Sequence, residues 1–227
     1  MTVIIRIQRK GASMGRLYII RHGETEWNAQ HRAQSHTDIP LSAVGRRQAQ
    51  CTAERLKDVD FDIAYSSDLH RAKETAEIIL GEQNVQVNTL TSLREYDKGV
   101  FEGLHRSEYS LKYPDQYQAS LTKDLDFAPE SGESVRQVHG RVSEFGRFIT
   151  SEHPNEDILI AGHGGSLRAL VVHLLSLSME TTWKLATSNC SVTIIDIHPA
   201  NNVLYLYNDT SHLRFIEGQR VDNLSIK

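Results

Sequence analysis

Apolar and polar positions follow two rhythms along this chain. "RLYIIRHG" (residues 16–23) is a short run rich in Ile that stops at a glycine, the pattern of a buried strand. "FDIAYSS" (61–67) and "DILIAGH" (157–163) repeat it, and "SVTIIDI" (191–197) with "VLYLY" (203–207), joined by "HPANN", predicts a hairpin. Between these runs the period lengthens to that of a helix. "LSAVGRRQAQCTAERL" (41–56) sets Val44, Gln48, Ala49, Thr52, Ala53 and Leu56 along one face behind Ser42 as N-cap. "DLHRAKETAEIIL" (68–80) ends at Gly81, a helix stop. "SVRQVHGRVSEFGRFI" (134–149) gathers Val135, Val138, Val142, Phe145 and Ile149 on one side and opens with a Ser134 to Gln137 capping box. "SLRALVVHLLSL" (166–177) comes after Gly164 and Gly165 as another helix.

Strands alternating with amphipathic helices predict an α/β fold: a three-layer sandwich with a mostly parallel central sheet and an antiparallel edge. Residues 96–131 depart from the pattern. They are polar and aromatic, contain Pro114 and Pro129, and read as a partly helical cap insertion over one end of the sheet.

A length of 227 residues suits one domain with an elaborated loop. Met14 stands just before the first strand, so residues 1–13 read as an N-terminal extension and 14–227 as the domain. A net charge of −4 gives no whole-chain reason to expect nucleic acid or an anionic membrane, so any affinity for anions is local. Cys51 and Cys190 are too few for a disulfide framework or a four-thiolate metal site, and a reduced, cytoplasmic setting is the natural reading. The first apolar run is too short for a signal-peptide core, and nowhere do about 18 apolar residues run together, so no membrane partner is expected. Homo-oligomers are compatible with all of this.

In an open α/β sheet, residues just after different parallel strands meet beyond their carboxyl ends. Here Arg21 and His22 come after the first strand, Arg71 after the second and His163 after the third of these runs. Such a cluster is unfavourable when empty and favourable around a dense anion, which guanidinium forks and helix N-termini match; phosphate fits best. Gly164 and Gly165 allow backbone amides to approach an oxygen, and Asn28 offers a side-chain donor. His22, His163 and Glu95 could be written as a metal set, but no H-E-x-x-H spacing exists and two arginines would repel a divalent cation, so no metal is expected.

"RHGE", with "SSDLHRA", "LREYDKGVFEG" and "GHGGSLRAL" downstream, resembles the histidine phosphatase superfamily, also called phosphoglycerate mutase-like, in its phosphatase branch. The likeness runs from Leu17 to about Leu213. It implies that His22 is a nucleophile passing through phosphohistidine, that Arg21, Arg71 and His163 hold the phosphoryl oxygens, and that Glu95 donates the proton. Asn28, Gln34 and Ser35 match positions that line phosphate or substrate. The resemblance implies a phosphomonoester hydrolase of a small-molecule phosphate ester, without a cofactor.

Two rivals stand beside it. A phosphoglycerate mutase would return the phosphoryl group to a second substrate oxygen, and a phospho-ligand binding protein would have the pocket with little turnover. Against the mutase, the stretch between Lys98 and Ser134 carries the bases Lys98, Arg106, Lys112 and Lys123 among the acids Glu102, Glu108, Asp115, Asp124, Asp126, Glu130 and Glu133, a balance that repels a second anion unless folding segregates the charges. Other histidines, including His31, His36, His70, His105 and His173, read as surface or packing residues, Cys190 as a small core side chain, and Arg94 as a surface partner for Glu95.

Overall fold

Along Arg16–Arg21 the side chains point alternately to two cores: Leu17 and Ile19 pack with one set of helices, Tyr18 and Ile20 with another. This strand, β1, is the centre of a computed structural model that describes residues 14–214. The expectation for residues 1–13, and that for the domain beyond residue 214, lie outside the described residues. The other strands are β2 (Ile63–Ser67), β3 (Val87–Leu90), β4 (Asp157–Gly162), β5 (Val192–Asp196) and β6 (Val203–Asp209). They form one six-stranded sheet in the order β3-β2-β4-β1-β5-β6. The pairings β1–β4, β2–β4 and β2–β3 are parallel; β5 and β6 complete the sheet as the antiparallel edge.

The short helix α1 (Glu26–Ala29) comes after β1. Helices α2 (Ala43–Leu56) and α3 (His70–Leu80) flank β2, and the cap contributes α4 (Arg106–Lys112) and α5 (Pro114–Leu121). On either side of β4 lie α6 (Val135–Glu152) and α7 (Gly164–Leu174). α2 and α3 cover the core around Tyr18 and Ile20, while α6 and α7 cover that around Leu17 and Ile19, giving the three layers. Ser42 caps α2 by accepting from the Gly45 amide, and Ser134 and Gln137 form the capping box of α6.

Two local expectations change. β3 has an exposed centre, Asn88 and Thr89, so its apolar alternation is absent and the sequence pattern leaves it unmarked. The buried face of α2 includes Gly45, while Val44 is half-exposed. A Cβ at Gly45 would fall 2.1 Å from the Glu24 carbonyl oxygen, so glycine lets the N-terminus of α2 close on the loop after β1.

The cap is partly helical, as expected, with Pro114 in the first turn of α5. Its internal core is aromatic: Phe101 stacks on Tyr109 with ring centroids 4.3 Å apart, and Tyr109 meets Tyr117 edge-on. Backbone bonds exchanged between Ala33 and residues 103–104 tie it to the loop after α1. Among the described residues no helix is long and apolar enough to cross a membrane.

Candidate active site

The parallel register aligns the carboxyl ends of β1 and β4, Arg21 opposite Gly162, and the His22 amide extends the ladder by donating to the Gly162 carbonyl at 2.9 Å. His22 and His163 therefore emerge side by side, ring centroids 5.1 Å apart. Arg71, in the first turn of α3, is fully buried beside them. The four side chains expected after the strands do converge.

Their polar atoms show what the pocket lacks. Among the described residues, eight buried side-chain nitrogens and oxygens have no hydrogen-bond partner, and six of them belong here: Arg21 Nε, Arg71 Nε, both ring nitrogens of His163, Gln34 Nε2 and Ser35 Oγ. A buried polar atom without a partner costs about 1–3 kcal/mol, so this concentration marks a place built for a polar guest. All but the hydroxyl and one imidazole nitrogen must be donors, which selects an anion.

The rest of each guanidinium is anchored. Arg71 donates to the Ser35 and Thr37 carbonyls at 2.6 and 3.0 Å, and Arg21 to the Thr187 carbonyl at 2.7 Å. Burial pushes Arg71 down to about 10 and also lowers Arg21, both partly offset by the charge of Glu95; both guanidiniums stay charged at neutral pH. The imidazoles behave differently. Burial, then Arg71 and nearby charge, hold His22 and His163 well below the usual histidine value, so both are neutral at neutral pH. The cluster is thus two cations and two neutral rings, not four cations.

His22 Nδ1 lies 2.7 Å from the Gly23 carbonyl, which fixes the proton on Nδ1 and leaves Nε2 as the basic nitrogen. The loop that bears it is held by helix side chains: the Gly23 amide donates to Thr75 Oγ1 and the Glu24 amide to Gln48 Oε1. This explains the polar Gln48 on the inner face of α2.

Glu95 does not pair with Arg94, which forms a two-pronged ion pair with Asp68. Its carboxylate instead accepts from the Tyr96 amide at 2.7 Å and from the Gly165 amide at 2.9 and 3.1 Å. The amide expected to meet a phosphate oxygen at Gly165 is therefore already used by Glu95, while Gly164 sits against Arg21 and Glu95. Burial pushes Glu95 up, but Lys98, the two amides and Arg21 together pull it below the usual carboxylate value. Glu95 is therefore ionised at neutral pH.

Asn28 is more committed than its sequence position suggests. Its Nδ2 donates to Gln34 Oε1 at 3.2 Å, and its Oδ1 accepts from the Thr25 amide and from Asn189 Nδ2. Gln34 Oε1 also accepts from the Thr25 hydroxyl, which turns its Nε2 into the unpaired donor.

Several supporting residues escaped the sequence reading. Asn189, buried just before β5, donates to the His22 carbonyl at 2.9 Å. Arg141 on α6 holds the carbonyls of Ser92, Arg94 and Glu95 while paired with Glu133. His36, taken as a surface residue, has Nε2 3.0 Å from the Glu95 carbonyl. Glu102 of the cap accepts from the Ser35 and Thr37 amides, bracing the loop whose carbonyls hold Arg71. Cys190 is a buried core residue, its thiol pushed up to about 12 by burial. Among the described residues no three His, Cys, Asp or Glu side chains are grouped as a metal site.

Beside this pocket, and sharing Gly165 with it, the cap and the inner helices enclose a cavity of about 390 Å³. Lys98, Arg106, Lys123 and Arg168 line it, with Asp124 as the one acid among the lining residues. Five other acids between Lys98 and Ser134 are engaged elsewhere. Glu102 serves the 35–37 loop, Glu108 pairs with Lys112, Asp126 with Arg136 and Glu133 with Arg141, and Glu130 bonds Gln116. Folding segregates the charges, so the acid excess of the insertion does not argue against a second anionic group.

The chain is 30% identical over 200 residues to phosphoserine phosphatase 1 of Hydrogenobacter thermophilus, covering 88% of this chain and 95% of that one. It is 34% identical to phosphoglycerate mutase-like protein 4 of Arabidopsis thaliana, with 92% and 91% covered. The crystal structure of the alpha-ribazole phosphatase from Shigella flexneri superposes with a TM-score of 0.81 at 30% identity, covering 86% of this chain and 96% of that one. The family model for the histidine phosphatase superfamily (branch 1) matches residues 17–210, nearly the whole of the described fold, and the chain belongs to that superfamily.

Proposed function

We propose that this chain hydrolyses a small phosphomonoester in two in-line displacements through a phosphohistidine on His22. The observation that carries the reading is the neutral His22, its Nδ1 proton tied to the Gly23 carbonyl, amid unpaired donors of Arg21, Arg71, His163, Gln34 and Ser35. The Nε2 lone pair attacks phosphorus as the P–O ester bond breaks, and the donors meet the charge on the equatorial oxygens. Asn28 and Gly164 border the same space.

Glu95 serves both half-reactions. A dianionic phosphoryl group beside the carboxylate opposes its ionisation and raises its pKa, so Glu95 takes up a proton as substrate binds. It gives that proton to the departing oxygen. The carboxylate then removes a proton from the water that attacks phosphohistidine, releasing inorganic phosphate and restoring both residues.

Relatives named as phosphatases support hydrolysis as the outcome. The cations of the adjoining cavity keep the mutase reading testable. The cavity is, however, walled largely by rings, more than a three-carbon acid can use.

The deciding experiment replaces His22 by Ala. Turnover should vanish with the fold intact, because the side chain closes no core cluster. Rapid quenching with labelled substrate should leave acid-labile, base-stable label on the wild type alone. Label retained by His22→Ala would remove His22 from its role.

A further inference from the structure

The adjoining cavity has a composition that the reaction at His22 does not require. Phosphoryl transfer asks for cations around phosphorus, and Arg21 and Arg71 supply them. Lys98, Lys123, Arg106 and Arg168 instead line the adjoining cavity, and the charge of Lys98 reaches Glu95.

Two of these cations are shaped for a ligand. Arg168, from the second turn of α7, donates Nε to the Gly164 carbonyl at 2.9 Å and Nη1 to the Leu185 carbonyl at 3.4 Å. The two carbonyls orient its fork and leave Nη2 uncommitted among the described residues. Lys98 Nζ rests over the Tyr96 ring, 4.1 Å from its centroid, a position that holds the ammonium without consuming its donors. Burial weakens the hold of Lys98 on its proton, the charge of Glu95 strengthens it and that of Arg168 weakens it, so Lys98 stands near both Glu95 and Arg168. Glu95 cannot be their structural counter-ion throughout the cycle, because it is neutral at the moment it acts as acid.

The remaining walls are apolar. Phe101, Tyr109 and Tyr117 are occupied with one another, but Phe127 and Trp183 line the cavity without a ring partner among the described residues. A volume of about 390 Å³ accommodates a ring or a comparable apolar body.

Building on the phosphatase reading, we propose that the leaving group is an alcohol or phenol with an apolar or ring body that carries a carboxylate, gripped by Lys98 and Arg168. A carboxylate is planar and matches a guanidinium fork, and a ligand of this kind satisfies both the cations and the free ring faces. Lys123 and Arg106 add a positive field at the cavity wall.

The test uses two esters that differ only in the carboxylate: the para-phosphoryl ester of phenylpropanoate and para-propylphenyl phosphate. Two methylenes insulate the ring, so their phenols leave equally well and both draw on Glu95 alike. Wild-type kcat/KM should favour the carboxylate ester by roughly ten- to hundred-fold, the value of one charge-assisted hydrogen bond. Lys98→Gln and Arg168→Gln should each pull this ratio toward one whatever happens to absolute rates. Lys112→Gln, at a cap lysine paired with Glu108, should leave the ratio unchanged.

A wild-type ratio near one, or a ratio that survives both substitutions, would overturn the proposal. A phosphonate in place of the carboxylate that is preferred over it would also do so. If neither ester is hydrolysed, it is the phosphatase reading that fails. The carboxylate preference is then read as a ratio of Kd values for the same two esters by calorimetry, so the two failures are separate.

Discussion

Adding one methyl group to Gly165 should disable the acid without touching the nucleophile. A Cβ built there falls 2.4 Å from Glu95 Oε1 and 3.2 Å from Tyr96 Cβ. Carbon and oxygen need more than about 3 Å, so the carboxylate must withdraw by about 1 Å and loosen the bonds it accepts from the Gly165 amide. The tertiary fold should tolerate this, since the atom displaced is the far end of a side chain and alanine is a better helix former than glycine near the start of α7. A 1 Å misplacement of a reacting group can cost about 10²-fold, or roughly 2.7 kcal/mol of barrier. Gly165→Ala should therefore lose about that factor in kcat/KM, which reports the phosphorylation half-reaction alone, toward an alkyl phosphate. It should lose far less toward p-nitrophenyl phosphate, whose leaving group departs unprotonated, and Glu95→Gln should show the same split.

Gly164→Ala is the matched comparison. Its Cβ would lie 3.6 Å from Arg21 Nε and 3.7 Å from Glu95 Oε2, ordinary contact that moves neither. A methyl there intrudes on the phosphoryl space, so it should affect both esters alike, mainly through KM. Steady-state kinetics on the two esters with each variant, beside thermal melts, decides the matter. Equal losses in kcat/KM on both esters for Gly165→Ala would refute the placement of Glu95 as the acid.

Three other outcomes are expected. Because His22 and His163 are held neutral in the folded state, their pKa values lie below the unfolded value of about 6.5; below that pH the unfolded chain binds more protons, and stability declines as pH falls. Tm should therefore fall between pH 7 and pH 5, and a Tm unchanged over that range would contradict it. Activity should survive a strong chelator and be inhibited by vanadate; loss with chelator, restored by a divalent metal, would overturn the reading of side chains as the only cations. Supplied with 3-phosphoglycerate and catalytic 2,3-bisphosphoglycerate, the enzyme should not isomerise efficiently, and efficient isomerisation with negligible phosphate release would establish the mutase instead.

The residues legible in sequence share one property: they stand just past parallel strands. Arg21, His22 and His163 come directly at or after the ends of β1 and β4, and Arg71 opens the helix after β2, so strand prediction alone brings them to one edge. Asn189 lies at the same edge but precedes β5, and an antiparallel strand delivers its beginning where a parallel one delivers its end. A search confined to residues after each strand passes over it. Glu95 comes after β3, an edge strand of four residues with polar side chains outward, too short to announce itself by periodicity; the family resemblance located it. Arg141 and Glu102 act on backbone amides and carbonyls distant in sequence, and no local pattern marks such partners.

The cap shows a deeper limit of sequence. Its acids outnumber its bases, yet three of its four bases, Lys98, Arg106 and Lys123, face the cavity, and five of its seven acids bond elsewhere. Net charge averages over directions, whereas a ligand meets only one face. Lys98 of the cavity wall and Arg21 beside His22 both favour the ionised form of Glu95. A substrate that brings negative charge to either cation weakens that hold. In the proposed reaction Glu95 is thus most readily protonated beside a bound phosphoryl group and ionised once that charge has left, the two opposite protonation states that its two proposed steps demand.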